Sequence, residues 1–205
     1  VTPTVGVLAL QGAFAAHVRI LESLGVNAVE VRTVAQLEAV DALVIPGGES
    51  TTMSMLLERF AMLDAVSQRV DAGLPTFGTC AGMILLAAEV LDGRPDQHCL
   101  RAIAITVRRN GYGRQLASFE SDLVVEGLDE AFHGVFIRAP VVEAADPSVE
   151  VLASVDGQPV LCRQGAVTVA AFHPELAKDS RVHRAWLANA GLIVSESSSE
   201  PGELA

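Results

Sequence analysis

Eight residues, Thr76-Phe77-Gly78-Thr79-Cys80-Ala81-Gly82-Met83, restrict the fold more than any other stretch of the chain. Thr76 and Phe77 suit a strand, and Met83-Ile84-Leu85-Leu86-Ala87-Ala88-Glu89 is rich in helix formers. Cys80 stands between them as Gly-x-Cys-x-Gly, the pattern of a nucleophile elbow. Such a strand-to-helix turn forces unusual backbone angles and brings neighbouring segments close, which glycine permits and larger side chains obstruct. A thiol at the tip precedes a helix N-terminus, where the partial positive charge favours the thiolate, the form that attacks carbonyl carbon.

Alone, this pattern decides little, because a cysteine in an apolar chain is more often a small buried hydrophobe. A cysteine nucleophile needs a base, and the base needs an orienting group. Phe172-His173-Pro174-Glu175 supplies both after the strand-like run Val167-Thr168-Val169-Ala170-Ala171. Residues two apart in an extended chain point the same way, so Glu175 can reach the ring of His173. By itself the pair reads as a surface histidine beside a solvated glutamate. With the elbow present, Cys80, His173 and Glu175 read as a catalytic triad.

The 205 residues suffice for one α/β domain with a full core, and 50% of them are hydrophobic. Fourteen Lys and Arg against 25 Asp and Glu give a net charge of −11, which argues against a broad nucleic-acid surface. Cys80, Cys99 and Cys162 show neither zinc spacing nor a disulfide framework, which fits a reducing cytoplasm. We read no metal site, no signal peptide before Val5, and no apolar run long enough to span a bilayer.

Val5–Leu10 reads as a buried, central parallel strand, followed by the turn Gln11-Gly12 and a helix through Phe14, Val18, Leu21 and Leu24 that Gly25 ends. Ala28–Val31 and Ala42–Ile45 are strands, with a short helix at Val34–Glu38 between them. Helices are expected at Ser54–Phe60, Leu63–Val70 and Arg181–Ala190, and strands at Ile103–Val107, Val135–Pro140, Val149–Ser154, Pro159–Arg163 and Val167–Ala171. The alternation predicts a three-layer, doubly wound α/β fold. Its sheet is mostly parallel with helices on both faces, and antiparallel strands are added in the C-terminal half. One domain is expected over residues 1–193, and the polar segment 194–205 reads as a disordered tail.

The ligand site of such a sheet lies at the C-terminal ends of its strands. There Pro46-Gly47-Gly48-Glu49-Ser50-Thr51-Thr52 follows a strand. Its glycines let backbone N–H groups face a ligand, and Gly47 and Gly48 could form an oxyanion hole with Ala81. Read alone it is an ordinary glycine turn capped by Ser50 or Thr51, and no Gly-Lys-[Ser/Thr] marks a phosphate loop. Arg138 follows an apolar run and precedes Ala139-Pro140, an odd place for a solubilising charge. Arg138, with Arg109 as a second candidate, suits a substrate carboxylate.

Leu10-Gln11-Gly12, Pro46–Met53, Gly78-Thr79-Cys80-Ala81-Gly82, Arg109-Asn110, Gly113-Arg114-Gln115, Ser118-Phe119-Glu120, Val135–Pro140 and Phe172–Glu175, in this order, carry a resemblance. Over Val5 to about Leu192 the chain resembles the class I glutamine amidotransferases, and within them the glutaminase subunits of pyridoxal 5′-phosphate synthase. The resemblance implies hydrolysis of L-glutamine to L-glutamate and ammonia, with Cys80 as nucleophile, His173 as base and Glu175 as its orienter. It implies that Gly48, Glu49, Ser50, Arg109, Ile137 and Arg138 contact glutamine. It also implies that no cofactor is needed and that the ammonia passes to a separate synthase subunit in a large complex. Where the family usually carries an acidic residue before the first helix's histidine, this chain has Ala16 before His17. From the residues alone, a cysteine hydrolase of a related elbow fold and a non-catalytic subunit remain the competing readings.

Overall fold

Runs of β-branched residues closed by glycine, proline or polar turns become the strands of this computed structural model, which describes residues 2–109 and 118–194. β1 (Thr4–Leu8), β2 (Asn27–Val31) and β3 (Ala42–Ile45) alternate with α1 (Phe14–Ser23) and α2 (Val34–Glu38). Next come α3 (Ser50–Arg59), α4 (Leu63–Asp71), β4 (Thr76–Thr79) and α5 (Ala81–Leu86). The middle of the chain supplies β5 (Ala87–Val90), β6 (Ile103–Arg108), β7 (Ser118–Leu123), β8 (Phe132–Ile137) and β9 (Val141–Ala145). β10 (Glu150–Val155), β11 (Gln158–Gln164), β12 (Val167–Ala170), a 3₁₀ turn at Pro174–Leu176 and α6 (Arg181–Asn189) follow.

The main sheet has seven strands in the order β10-β11-β12-β4-β3-β1-β2. β2, β1, β3, β4 and β12 run parallel, while β11 is antiparallel to both of its neighbours. β3, β4 and β12 are buried at every position, as strands covered on both faces must be. The connectivity explains the two covered faces. The step from β1 to β2 runs one way along the sheet, and the step from β2 to β3 runs back past β1. Right-handed crossovers therefore put α1 and α2 on opposite faces. Packing agrees: α2 meets α4, α4 meets α3 and α3 meets α5, whereas α1 packs with the 3₁₀ turn and touches α6 through His17 and His183. Two smaller sheets complete the fold, β5-β6-β9 and the antiparallel pair β7-β8.

The expected architecture holds, and the differences lie at element ends. The helix expected through Glu89 stops at Leu86, and Ala87–Val90 instead pairs in parallel with β6. Sheet pairing overrides the helix propensity of Ala and Glu there. The helix expected from Ser54 begins at Ser50 because the side chain of Glu49 caps it, accepting from the N–H groups of Thr51 (3.1 Å) and Thr52 (2.7 Å). The cap is thus Glu49 rather than Ser50 or Thr51. The first strand ends at Leu8, short of Leu10. The strand expected to run to Pro140 ends at Ile137, since Arg138 turns to φ +45°. Asn110, Gly113, Arg114, Gln115 and the tail from residue 195 lie outside the described residues.

Candidate active site

Three adjacent parallel strands end at one cleft. β3 delivers Gly47 and Gly48, β4 delivers Cys80, and β12 leads through Ala171 and Phe172 to His173. Cys80 links β4 to α5 with φ +48° and ψ −100°, a conformation that costs a non-glycine residue about 1–3 kcal/mol. The backbone N–H of Cys80 donates to Ala170 of β12 at 2.8 Å, which helps hold the turn. The flanking glycines serve close packing. A Cβ on Gly78 would meet the Gly82 backbone at 2.8 Å, and one on Gly82 would strike the carbonyl oxygen of Ile45. The unusual angle sits on the cysteine, and the glycines make room for it.

The imidazole of His173 is held from both ends. Nδ1–H donates to Oε1 of Glu175 at 2.7 Å, which leaves Nε2 for the thiol of Cys80; Sγ itself donates to the carbonyl of Ile137 at 3.8 Å. The two-residue spacing works differently from an extended chain. Pro174 starts the 3₁₀ turn, which folds Glu175 back against the ring. His173 and Glu175 are 8% and 7% exposed, so their interaction is hardly screened. Burial by itself pulls the imidazole's pKa down. The hydrogen bonds and negative charges of Cys80 and Glu175 outweigh it and raise the pKa to about 10. The imidazolium is the form of His173 that this environment favours.

Among the described residues the other two cysteines have no such partner. Burial pushes the Cys162 thiol up to about 11 and raises that of Cys99 despite the charge of Arg101. All three cysteines are free.

Gly47 lies directly against this machinery, and a Cβ there would collide with the ring of His173. Its carbonyl accepts from the N–H of Ala13 at 3.1 Å, so the N–H of Gly48, across the same trans peptide, points the opposite way. Gly12 (φ +91°) passes so close that a Cβ would strike the Gly47 oxygen. The amide of Gln11 lies under Gly48 and donates to the carbonyl of Glu49 at 3.1 Å. Ala81 opens α5, where the first N–H groups have no intrahelical partner.

The cleft, about 190 Å³, is lined by Gly48, Glu49, Ser50, Arg109, Ile137 and Arg138 together with Cys80, Ile84 and His173. Every residue expected to contact substrate is therefore present. Arg109 is anchored: Nη1 donates to Thr51 Oγ1 and to Gln97 Oε1, both at 2.8 Å, and its backbone N–H donates to Asp92. Arg138 is exposed, and among the described residues its guanidinium has no carboxylate partner. The carboxylate of Glu49 is engaged as a helix cap. Partial burial opposes ionisation, but the bonds from Thr52 and Thr51 win and lower its pKa.

A family model described as the SNO glutamine amidotransferase family matches residues 7–191. The chain belongs to that family. It is 56% identical over 186 residues to the pyridoxal 5′-phosphate synthase subunit PdxT of Mycobacteroides abscessus, covering 91% of this chain and 96% of that protein. It is 54% identical over 186 residues to the protein of the same description from Frankia alni, covering 90% and 94%. A crystal structure of a glutamine amidotransferase superposes with a TM-score of 0.86 at 52% identity, over 91% of this chain and 98% of that one. PurLQS from Thermotoga maritima, at 15% identity, shares the fold alone, with a TM-score of 0.63.

In this member of the SNO glutamine amidotransferase family, some residues of the site escape sequence reasoning. Gln97 holds Arg109 and reaches Thr51 Oγ1 at 3.2 Å from a loop without any pattern. His17 and His183, from opposite ends of the chain, are 0% exposed and meet behind Glu175. Their one signal is a histidine placed on the apolar face of each helix. No helix among the described residues is long and apolar enough to cross a membrane.

Proposed function

We propose that this chain is the cytoplasmic glutaminase subunit of a pyridoxal 5′-phosphate synthase, hydrolysing L-glutamine through Cys80, His173 and Glu175. The observation that carries the reading is Cys80 on its strained turn beside an imidazole bound at 2.7 Å to a buried carboxylate, in a glutamine amidotransferase family. The synthase context rests on the relatives described as pyridoxal 5′-phosphate synthase subunits.

The thiolate of Cys80 attacks the side-chain amide carbon of glutamine, and the carbonyl oxygen becomes an oxyanion. Backbone N–H groups at the Gly47-Gly48 turn and Ala81 receive that charge. The imidazolium of His173 then gives its Nε2 proton to the leaving nitrogen, and ammonia departs. The resulting thioester is hydrolysed by water, with neutral His173 taking the proton. Throughout, Glu175 holds Nδ1–H and balances the imidazolium. Arg138 and Arg109 offer forked donors to the α-carboxylate, while Gly48, Glu49, Ser50 and Ile137 form the remaining wall.

Released ammonia is lost unless a receiver is attached, so a separate synthase subunit takes it. A glycine peptide reverses at little cost, and here the bond from Ala13 is what fixes the Gly47 carbonyl. Docking of the synthase selects the peptide orientation that binds the oxyanion, which is a population shift. Ammonia release at rising synthase concentration tests this. The isolated chain should be slow, and partner addition should raise kcat more than it changes KM. Full activity without the synthase would refute the coupling, and an inactive complex would refute the glutaminase assignment.

A further inference from the structure

Glu175 has two carboxylate oxygens, and the triad uses one. Oε1 accepts from His173, while Oε2 has no close hydrogen bond and lies in a fully buried pocket. Nε2 of His17, on α1, lies 3.4 Å from it. The same nitrogen lies 3.3 Å from Thr79 Oγ1, and Nδ1 of His17 lies 2.9 Å from Nε2 of His183, on α6. The edge of His183 packs on Phe77 of β4, and its own Nδ1 finds no partner.

Chemistry decides where the protons sit. One hydrogen is shared between Nδ1 of His17 and Nε2 of His183. If His17 supplied it, its Nε2 lone pair would face the carboxylate oxygen, and His183 would bury an unmatched N–H. If His183 supplies it, Nε2–H of His17 points at Oε2, and the orphan at His183 is a lone pair, the cheaper group to leave unpaired.

We propose that His17 and His183 are positioning residues of the triad: His183 fixes the tautomer of His17, and His17 donates to Oε2 of Glu175, holding the carboxylate in line with His173. This rests on the triad reading above. The groups facing the pair are Thr79 at the end of β4, and His173 and Glu175 after β12. Burial first, then the charges of His183 and His173, keep the pKa of His17 well below 6.5. Burial alone lowers that of His183 to about 3. Both rings are therefore neutral at working pH, as the tautomer argument requires.

The test is steady-state glutamine hydrolysis by the synthase complex. His17→Leu should lower kcat on the order of tenfold to a hundredfold, the range typical of losing an outer hydrogen-bond partner. KM should stay within about twofold because the cleft walls are untouched. With Oε2 bare, the carboxylate holds the shared proton harder, so the alkaline limb of kcat should move to higher pH. His17→Gln, which keeps an N–H donor, should recover most of the rate and the wild-type limb, and His183→Phe should fall between. A wild-type rate and profile in a folded His17→Leu protein would overturn the proposal, as would a His17→Gln protein no better than His17→Leu. Nitrogen-15 chemical shifts of the wild-type histidines give a readout that needs no variant: Nε2 of His17 should carry the proton, and an Nδ1-protonated His17 would contradict the scheme. Cys80→Ala and Glu175→Gln run alongside separate the two failures. Activity in those proteins breaks the triad reading, whereas their inactivity beside a normal His17→Leu breaks only the relay.

Discussion

The two walls of the cleft are held by opposite means. Cys80, His173 and Glu175 are at most 8% exposed and follow the ends of adjacent buried strands, and His173 bonds to Glu175 at 2.7 Å. Across the cleft, Gly48, Glu49, Ile137 and Arg138 are exposed, on the turn after β3 and at the end of β8. On the proposed reading the reacting groups are fixed before substrate arrives, whereas the gripping wall mixes the held side chains of Glu49 and Arg109 with the exposed Arg138. Disturbing the first wall should therefore lower kcat, and disturbing the second should raise KM.

The sharpest way to break this contrast is Gly47→Ala. The added methyl collides with the ring of His173. Overpacking of this kind costs roughly 1–3 kcal/mol, and a displaced base costs about a hundredfold or more in kcat. KM should hardly move, and a normal kcat would show that His173 tolerates displacement.

The opposite wall gives the next effect. Arg138→Ala and Arg109→Ala should raise KM for glutamine by roughly tenfold to a hundredfold each, the value of a hydrogen bond to a charged group. Arg109→Ala should also lower thermal stability slightly, because Arg109 ties Thr51 to Gln97. Unchanged KM in both proteins would show that neither arginine grips the substrate.

How far the sequence could be read follows from the same contrast. Strands and their order along the chain follow from apolar runs and breakers, and Cys80 and His173 stand at the breakers. Glu175 meets the ring of His173 by another local route than the sequence suggests, since a 3₁₀ turn rather than an extended chain brings it round. Ala87–Glu89 reads as helix, but that propensity yields to pairing with β6, a partner distant in sequence. His17 and His183 were illegible for the same cause: 166 residues separate two rings that touch at 2.9 Å. Contacts of that span depend on topology, which no local pattern encodes.

The smallest effects concern pH. Neutral buried histidines oppose acid. The unfolded chain takes up their protons below pH about 6.5, while folded His183 resists down to about 3. Their contribution should be complete above about pH 6.5 and fall as pH drops, by at most about 1.4 kcal/mol per unit for each such ring. His173 acts in the other direction. Its raised pKa stabilises the fold fully below 6.5, and that contribution fades as pH rises through about 10. Thermal melts from pH 4 to 10.5 should show a decline on both sides, and His183→Phe should flatten the acid side. An unaltered acid limb in that variant would mean that His183 does not resist protonation.

The central claim, that one cysteine of three is a nucleophile aimed at glutamine, is tested most directly by labelling. The intact synthase complex is treated at neutral pH with an electrophilic glutamine analogue, and the modified peptide is mapped by mass spectrometry. The account predicts one label, on Cys80, with loss of ammonia release in step with labelling and protection by excess glutamine. Labelling of Cys99 or Cys162, or full activity after Cys80 is modified, would contradict it.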